Sequence, residues 1–251
     1  MSKKNNDFFK TKKKWSVIKD ELLGWYLTPY LTKILHTGRR LNYFDCFAGK
    51  GKFDDGNPGS PLIALEIIKK TLATTTSGNS QINSFFIDAY HFDDLRTNIA
   101  TYKNAIPING KYEDELLNLL ENRQDQNVFL YIDPYGIMNL EMRIFDQISE
   151  MKFNSVEMLI NINSFGFFRV ACSVLGASCE ESDIVDEFEE YEPYSLKSND
   201  QSIKDLTNIA GGEYWKDIIM QYKNKEINSF EAEQLFIDNY CKKLLEDSLM
   251  F

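Results

Sequence analysis

Apolar positions along the chain fall into short runs that change period from one segment to the next. Residues 14–36 repeat at helical spacing, with Trp15, Ile18, Leu22, Leu23, Tyr26 and Leu27 on one face. Thr28 before Pro29 reads as a cap followed by a first-turn proline, which predicts two helices meeting at an angle. Leu41–Asp45 is then a continuous apolar run closed by an acid, the pattern of a buried strand. Similar runs recur at Ser84–Asp88, Ile106–Ile108, Val128–Asp133 and Val156–Asn161, alternating with helical stretches at 61–72, 91–103, 113–122 and 140–150. Phe230–Phe251 is a last amphipathic helical pattern, and no internal repeat is present.

Strands that alternate with helices imply right-handed crossovers and a parallel sheet. The expected architecture is therefore α/β, a Rossmann-like, doubly wound and mostly parallel sheet. Residues 1–36 are expected as a helical elaboration packed on it and 37–251 as the main domain. Three strands end in aspartate, Asp45, Asp88 and Asp133. In an open parallel sheet the ligand crevice lies at the carboxyl ends of the strands, so these acids converge on one rim. Unpaired buried carboxylates are costly, which points to a polar ligand. For any single aspartate, capping of the following helix is an equally good explanation.

Composition narrows the class. Of the 251 residues, 43% are apolar and 26% charged, which excludes collagen-like, disordered and disulfide-scaffold chains. No run of roughly 18 apolar residues suits a membrane helix. The lysine-bearing start, Met1 to Asp7, has no apolar stretch behind it, so a cytoplasmic location is expected. Cys46, Cys172, Cys179 and Cys241 are scattered without a CxxC pair, and the chain has only two histidines, so no bound metal and no disulfide framework are expected. The net charge is −10, yet the first twenty residues carry seven lysines against Asp7 and Asp20. Coating of nucleic acid by bulk counterion release is disfavoured; the basic tip either solubilises or touches phosphates locally. Residues 180–192 hold eight acids and no base, which predicts an acidic surface excursion at about 178–202.

The sharpest local signal is Asp45-Cys-Phe-Ala-Gly-Lys-Gly51, a strand running into a glycine turn that lets backbone amides approach a ligand. It is not the dinucleotide fingerprint, because Asp54 stands where the third glycine is needed, and no GxxxxGK[ST] occurs. Ser60 and Pro61 read as cap and first position of the next helix. The loop Lys50–Pro58 is either a lid or a solvated connection, and Phe165, Phe167, Phe168 and Arg169 either contact substrate or pack. Cys46 reads as a small buried filler, since no proline precedes a cysteine as covalent cytosine chemistry requires.

Asp45-x-Phe-Ala-Gly-x-Gly51 resembles motif I of class I S-adenosylmethionine-dependent methyltransferases. The wider pattern is similar to the three-Cys-motif partner family. It runs through Lys14, Tyr26-Leu27, Gly59-Ser-Pro61 and Tyr131-Ile-Asp-Pro-Tyr-Gly136, with weaker echoes at Gly211, Trp215, Tyr240 and Leu244. The resemblance implies a methyltransferase fold, with S-adenosylmethionine as cofactor. Asp45, Phe47, Ala48, Gly49 and Gly51 would line its methionine end, Asp88 would hold the ribose, and Tyr112 the adenine through its backbone amide. Where the family shows Gly-Asp-aromatic, this chain has Gly110-Lys111-Tyr112. Asp133-Pro-Tyr-Gly136 resembles the tetrapeptide of amino-methyltransferases, with one proline where two are usual. That implies Asp133, Pro134 and Tyr135 as catalytic residues acting on the amino group of a nucleic-acid base. The alternative is a non-catalytic binding module that partners a cysteine-motif, iron–sulfur-type protein. Such methyltransferase sheets end in an antiparallel pair, for which the sequence offers no strand pattern after the last helix.

Overall fold

A computed structural model describes residues 8–75, 81–137, 139–179 and 199–248. The start at Met1 to Asp7, the end of the last helical pattern beyond 248 and most of the acidic excursion lie outside them. The chain divides into two compact units, Met1–Asp133 with Lys152–Asn161, and Pro134–Met151 with Ile162–Phe251.

The first unit contains α1 (Lys14–Leu35), β1 (Leu41–Asp45), α2 (Ser60–Thr74), β2 (Ile82–Asp88), α3 (Phe92–Ile99), β3 (Ala105–Asn109), α4 (Tyr112–Glu121), β4 (Asn127–Ile132) and β5 (Ser155–Ile160). The described strands form one all-parallel sheet in the order β3-β2-β1-β4-β5, flanked by helices, which is a Rossmann-like α/β arrangement. From β1 the chain steps outward through β2 to β3, then crosses back to lay β4 on the other side. The gap between the carboxyl ends of β1 and β4 is thus the topological switch point, where open α/β sheets bind ligands. Register places Asp45 level with Phe86 on one neighbour and Tyr131 on the other. β1 and β4 are buried along their whole length, as central strands of a two-faced sheet must be. Edge strands β3 and β5 are only partly buried.

On one face, Leu23, Leu27, Leu31 and Leu35 of α1 join Leu65 and Ile68 of α2 and Leu95 and Ile99 of α3 over Tyr43, Phe86 and Phe129. On the other, Phe44 and Phe85 stack at 4.7 Å, and the Arg123 guanidinium lies 4.2 Å from the Phe85 ring. An amide ladder ties the amino ends of the strands. Asn42 donates to Gln126 (2.8 Å), while Asn154 and Ser155 (2.8 Å) both donate to the carbonyl of the fully buried Asn127.

Two local expectations are corrected. α1 is a single helix with Pro29 inside it, rather than two helices at an angle. Pro29 and Trp25, whose carbonyl loses its donor, both sit on the exposed face, while Leu27 and Leu31 are held in the core on either side. The buried face is also narrower than expected: Ile18, Leu22 and Tyr26 are exposed. Ser60 is not the cap of α2; Gly59 takes that place, and the Ser60 hydroxyl is spent on Asp45 instead.

The second unit contains α5 (Met142–Ser149), α6 (Ser164–Val174), α7 (Asn199–Ala210), α8 (Tyr214–Lys223) and α9 (Ser229–Ser248). Phe165, Phe167 and Phe168 belong to α6, started by Asn163, whose carbonyl accepts from the Gly166 amide at 2.7 Å. Phe167 stacks on Phe236 at 4.1 Å and meets Trp215 edge-on, and Phe168 meets Tyr222 at 5.0 Å, so packing is what Phe167 and Phe168 do. Trp215 is itself buried, its indole donating to Thr207 at 3.1 Å. The polar end of the expected excursion, from Asn199, is already helical in α7.

Candidate functional site

The glycine turn grows directly out of the sheet. Beyond β1 the Cys46 amide still donates to Tyr131 (2.9 Å) and the Ala48 amide to Ile87 (3.0 Å), so the chain stays laddered to both neighbours until Gly49. Gly49 (φ 59°) and Gly51 (φ 76°) then take left-handed conformations that other residues adopt only with strain. The Gly59 amide donates to Gly51 at 3.0 Å and the Asn98 side chain to Lys50 at 2.8 Å, which closes residues 51–59 and braces the turn from α3. Lys50 pairs with Asp54 of the same loop at 3.1 Å. Cys46 is buried, and burial pushes its thiol well above the ordinary range, which suits a filler.

Around this turn stand the three strand-end acids, each in a different environment. Asp45 is fully buried; it accepts from the Ser60 hydroxyl at 2.7 Å and the Phe47 amide at 3.2 Å. Desolvation raises its pKa to about 7 despite those two bonds, with the charges of Asp133 and Asp20 adding to the rise. Asp88 is half-buried and accepts three backbone amides, from Gly49 (3.1 Å), Tyr90 (2.8 Å) and His91. It therefore links the glycine turn to the segment that leads into α3. Asp133, one residue beyond β4, pairs with Lys19 at 2.9 Å and receives the Tyr131 hydroxyl at 3.4 Å.

Lys12, Lys19 and Asp20, from α1 and the segment before it, complete this acidic rim and are not among the residues expected from sequence. Asp20 pairs with Lys12, yet burial raises its pKa to about 6, and Asp133 adds to the rise. The Tyr43 hydroxyl, fully buried and without a hydrogen-bond partner among the described residues, is subject to the charges of Asp45 and Asp20. A signal for Asp20 was present: Ser16 and Asp20 continue, at steps of three and four residues, the stripe that Leu23, Leu27 and Leu31 bury. A polar residue on a core-facing stripe is a local inconsistency of the kind found at functional sites.

The structure gathers Asp45, Phe47, Ala48, Gly49, Gly51 and Asp88 at one turn, with Tyr112 joined to it through its ring, 5.1 Å from that of Phe47. Pro134 and Tyr135 belong to the second unit. Across the turn lies the segment before α1. The Phe9 ring covers Gly49 so closely that a Cβ there would be 2.8 Å from its Cζ, and it meets His91 edge-on at 4.8 Å. The Phe9 carbonyl accepts from the Asp54 amide at 2.8 Å, and Lys12 donates to Pro58 at 2.6 Å.

Asp20, Asp45, Asp88 and Asp133 outnumber Lys12 and Lys19 on this rim, so the set suits a ligand bearing hydroxyls and positive charge better than a phosphate. The turn already holds a six-membered ring, that of Phe9. The residues therefore fit a nucleoside carrying a cationic tail. Among the described residues no group of three or more His, Cys, Asp or Glu is placed to hold a metal ion, and no helix is long and apolar enough to cross a membrane. Comparison with models of known protein families and with curated proteins finds no match to this chain.

Proposed function

We propose that the chain is an S-adenosylmethionine-dependent methyltransferase acting on an amino group, with a nucleic-acid base as its substrate class. The observation that carries this reading is the left-handed Gly49–Gly51 turn that leaves the carboxyl end of β1, the strand bordering the switch point, and is tied to Asp88 at the end of β2. When bound, the cofactor supplies an electrophilic methyl group. Asp88, held in place by three amides, keeps acceptor capacity for a ribose hydroxyl, since a carboxylate offers about four lone-pair sites. Asp45, hydrogen-bonded to Ser60, fixes the turn from beneath. An exocyclic base amine is a poor nucleophile because its lone pair is delocalised; a hydrogen bond from it to Asp133 would localise that pair. Lys19 and Tyr131 orient the Asp133 carboxylate for that contact.

Calorimetric titration with S-adenosylmethionine and S-adenosylhomocysteine tests this, with NAD and ATP as controls. Micromolar binding, about −8 kcal/mol, is the expected result. Asp88→Ala should weaken it about tenfold or more through loss of charge-assisted hydrogen bonds. Asp133→Ala should abolish methyl transfer with affinity nearly unchanged; unaltered turnover removes Asp133 from the mechanism. A second reading, a binding module that partners a cysteine-motif protein, is favoured by one observation: Phe9 occupies the turn and Asp88 is engaged by backbone amides. Silence of both methyl-cycle ligands at millimolar concentration would give that reading the lead.

A further inference from the structure

The segment Phe9–Lys12 places, within one short stretch, an aromatic ring and an ammonium group on the same rim. The ring of Phe9 rests on Gly49 and against His91. The ammonium of Lys12 pairs with Asp20, a partly buried carboxylate on which the charge of Lys19 also acts. Two backbone bonds fasten the segment to the loop: the Asp54 amide donates to Phe9, and the Lys12 amide donates to Asp55 at 2.9 Å. Phe53, itself buried, packs beneath both Phe8 and Phe9, with centroids at 5.8 and 5.7 Å. Lys50 lies 5.2 Å from the Phe9 ring. A flat ring over the glycine turn and a cation on the acidic rim are the two features that a nucleoside with a cationic tail presents.

We infer that Phe9–Lys12 is an internal strap that fills the glycine turn in place of the ligand and must lift before the cofactor is seated. The inference rests on the cofactor reading above and adds its regulation. Lifting uncovers Gly49 and His91 and frees Asp20 from Lys12, so the site gains an aromatic-sized recess and a carboxyl released from one of its two cations in one movement. The strap precedes α1, which begins only at Lys14, so the displacement needs no change in the sheet. Apparent affinity is then the intrinsic affinity reduced by the fraction of molecules with the strap raised. A strap closed in about nine molecules of ten lowers affinity about tenfold.

The test combines S-adenosylhomocysteine titration with amide hydrogen exchange at Asp54, the donor that the strap satisfies, in the full chain. Wild type is compared with Phe9→Ala and with Phe9→Ala/Lys12→Met, which removes both side-chain anchors of the strap and leaves its two backbone bonds. Expected results are loss of Asp54 protection in the variants, about tenfold tighter binding by them, and loss of the same protection when wild type is saturated with ligand. If both variants bind as wild type does or more weakly, and Asp54 stays protected in the complex, the strap is a fixed wall and the inference is overturned while the cofactor reading stands. If Asp54 remains protected even in the double variant, the anchors do not hold the strap and the inference also falls. If the variants free Asp54 yet no chain takes the nucleoside at millimolar concentration, the cofactor reading fails and the gating role goes with it.

Discussion

Asp45 shows how much one carboxyl can demand of its surroundings. Its pKa of about 7 and that of Asp20, about 6, both lie above the usual 3.8, because burial disfavours the charged form. A carboxyl that holds its proton more tightly folded than unfolded contributes stability that is complete below the unfolded pKa and is lost as pH rises through the folded one. Folding stability should therefore decline from about pH 4 to 7 through these two groups. Asp45→Asn should decline less steeply, which urea midpoints at several pH values would reveal; parallel curves for the two proteins would contradict the assignment. Ser60 supplies the hydroxyl that moderates Asp45, so Ser60→Ala should cost about 1–3 kcal/mol and raise that pKa further. Neither role is visible in the sequence, where Ser60 has every mark of a helix cap. A cap is read from neighbours along the chain, whereas the demand of a buried acid fifteen residues away is a fact of packing.

α1 carries the clearest contrast between pattern and outcome among the elements. The strands were legible because continuous apolar runs closed by turn residues have few other uses, and all five form within a residue or two of their expected ends. α1 was misread because proline's local preference was weighed without knowing which side of the helix faced water. Tertiary burial of Leu27 and Leu31 outweighs the lost bond. Pro29→Ala should restore an amide donor to Trp25 and stabilise the protein by about 1–3 kcal/mol. Leu31→Ala, by opening a cavity in the core, should destabilise it by about 2–5 kcal/mol. Both are measurable as urea-unfolding midpoints, and a proline variant no more stable than wild type would mean that the bond is already replaced. α6 was missed as a helix since its aromatic cluster fits a loop equally well until Phe236 and Trp215, far along the chain, are brought beside it.

The sheet sets how the protein must fold. β1 cannot be buried on both sides until β4, more than eighty residues later, inserts beside it. Such non-local pairing is slow, so refolding followed by stopped-flow should take milliseconds to seconds; a microsecond phase accounting for the full signal would be inconsistent with this topology. The gathering of Asp45, Asp88 and Asp133 was readable from strand ends alone, because parallel strands share one direction. The contribution of Lys12, Lys19 and Asp20 was not, since a segment outside the sheet has no such rule. At the opposite rim, the ladder from Asn42 and Gln126 to Asn127, Asn154 and Ser155 fixes strand register with side chains that never approach the glycine turn. That separation gives the fold an evolutionary freedom: the loops at the carboxyl ends of the strands can be exchanged or lengthened while the opposite rim keeps the strands aligned, so new ligands can be tried on this sheet without renegotiating how it assembles.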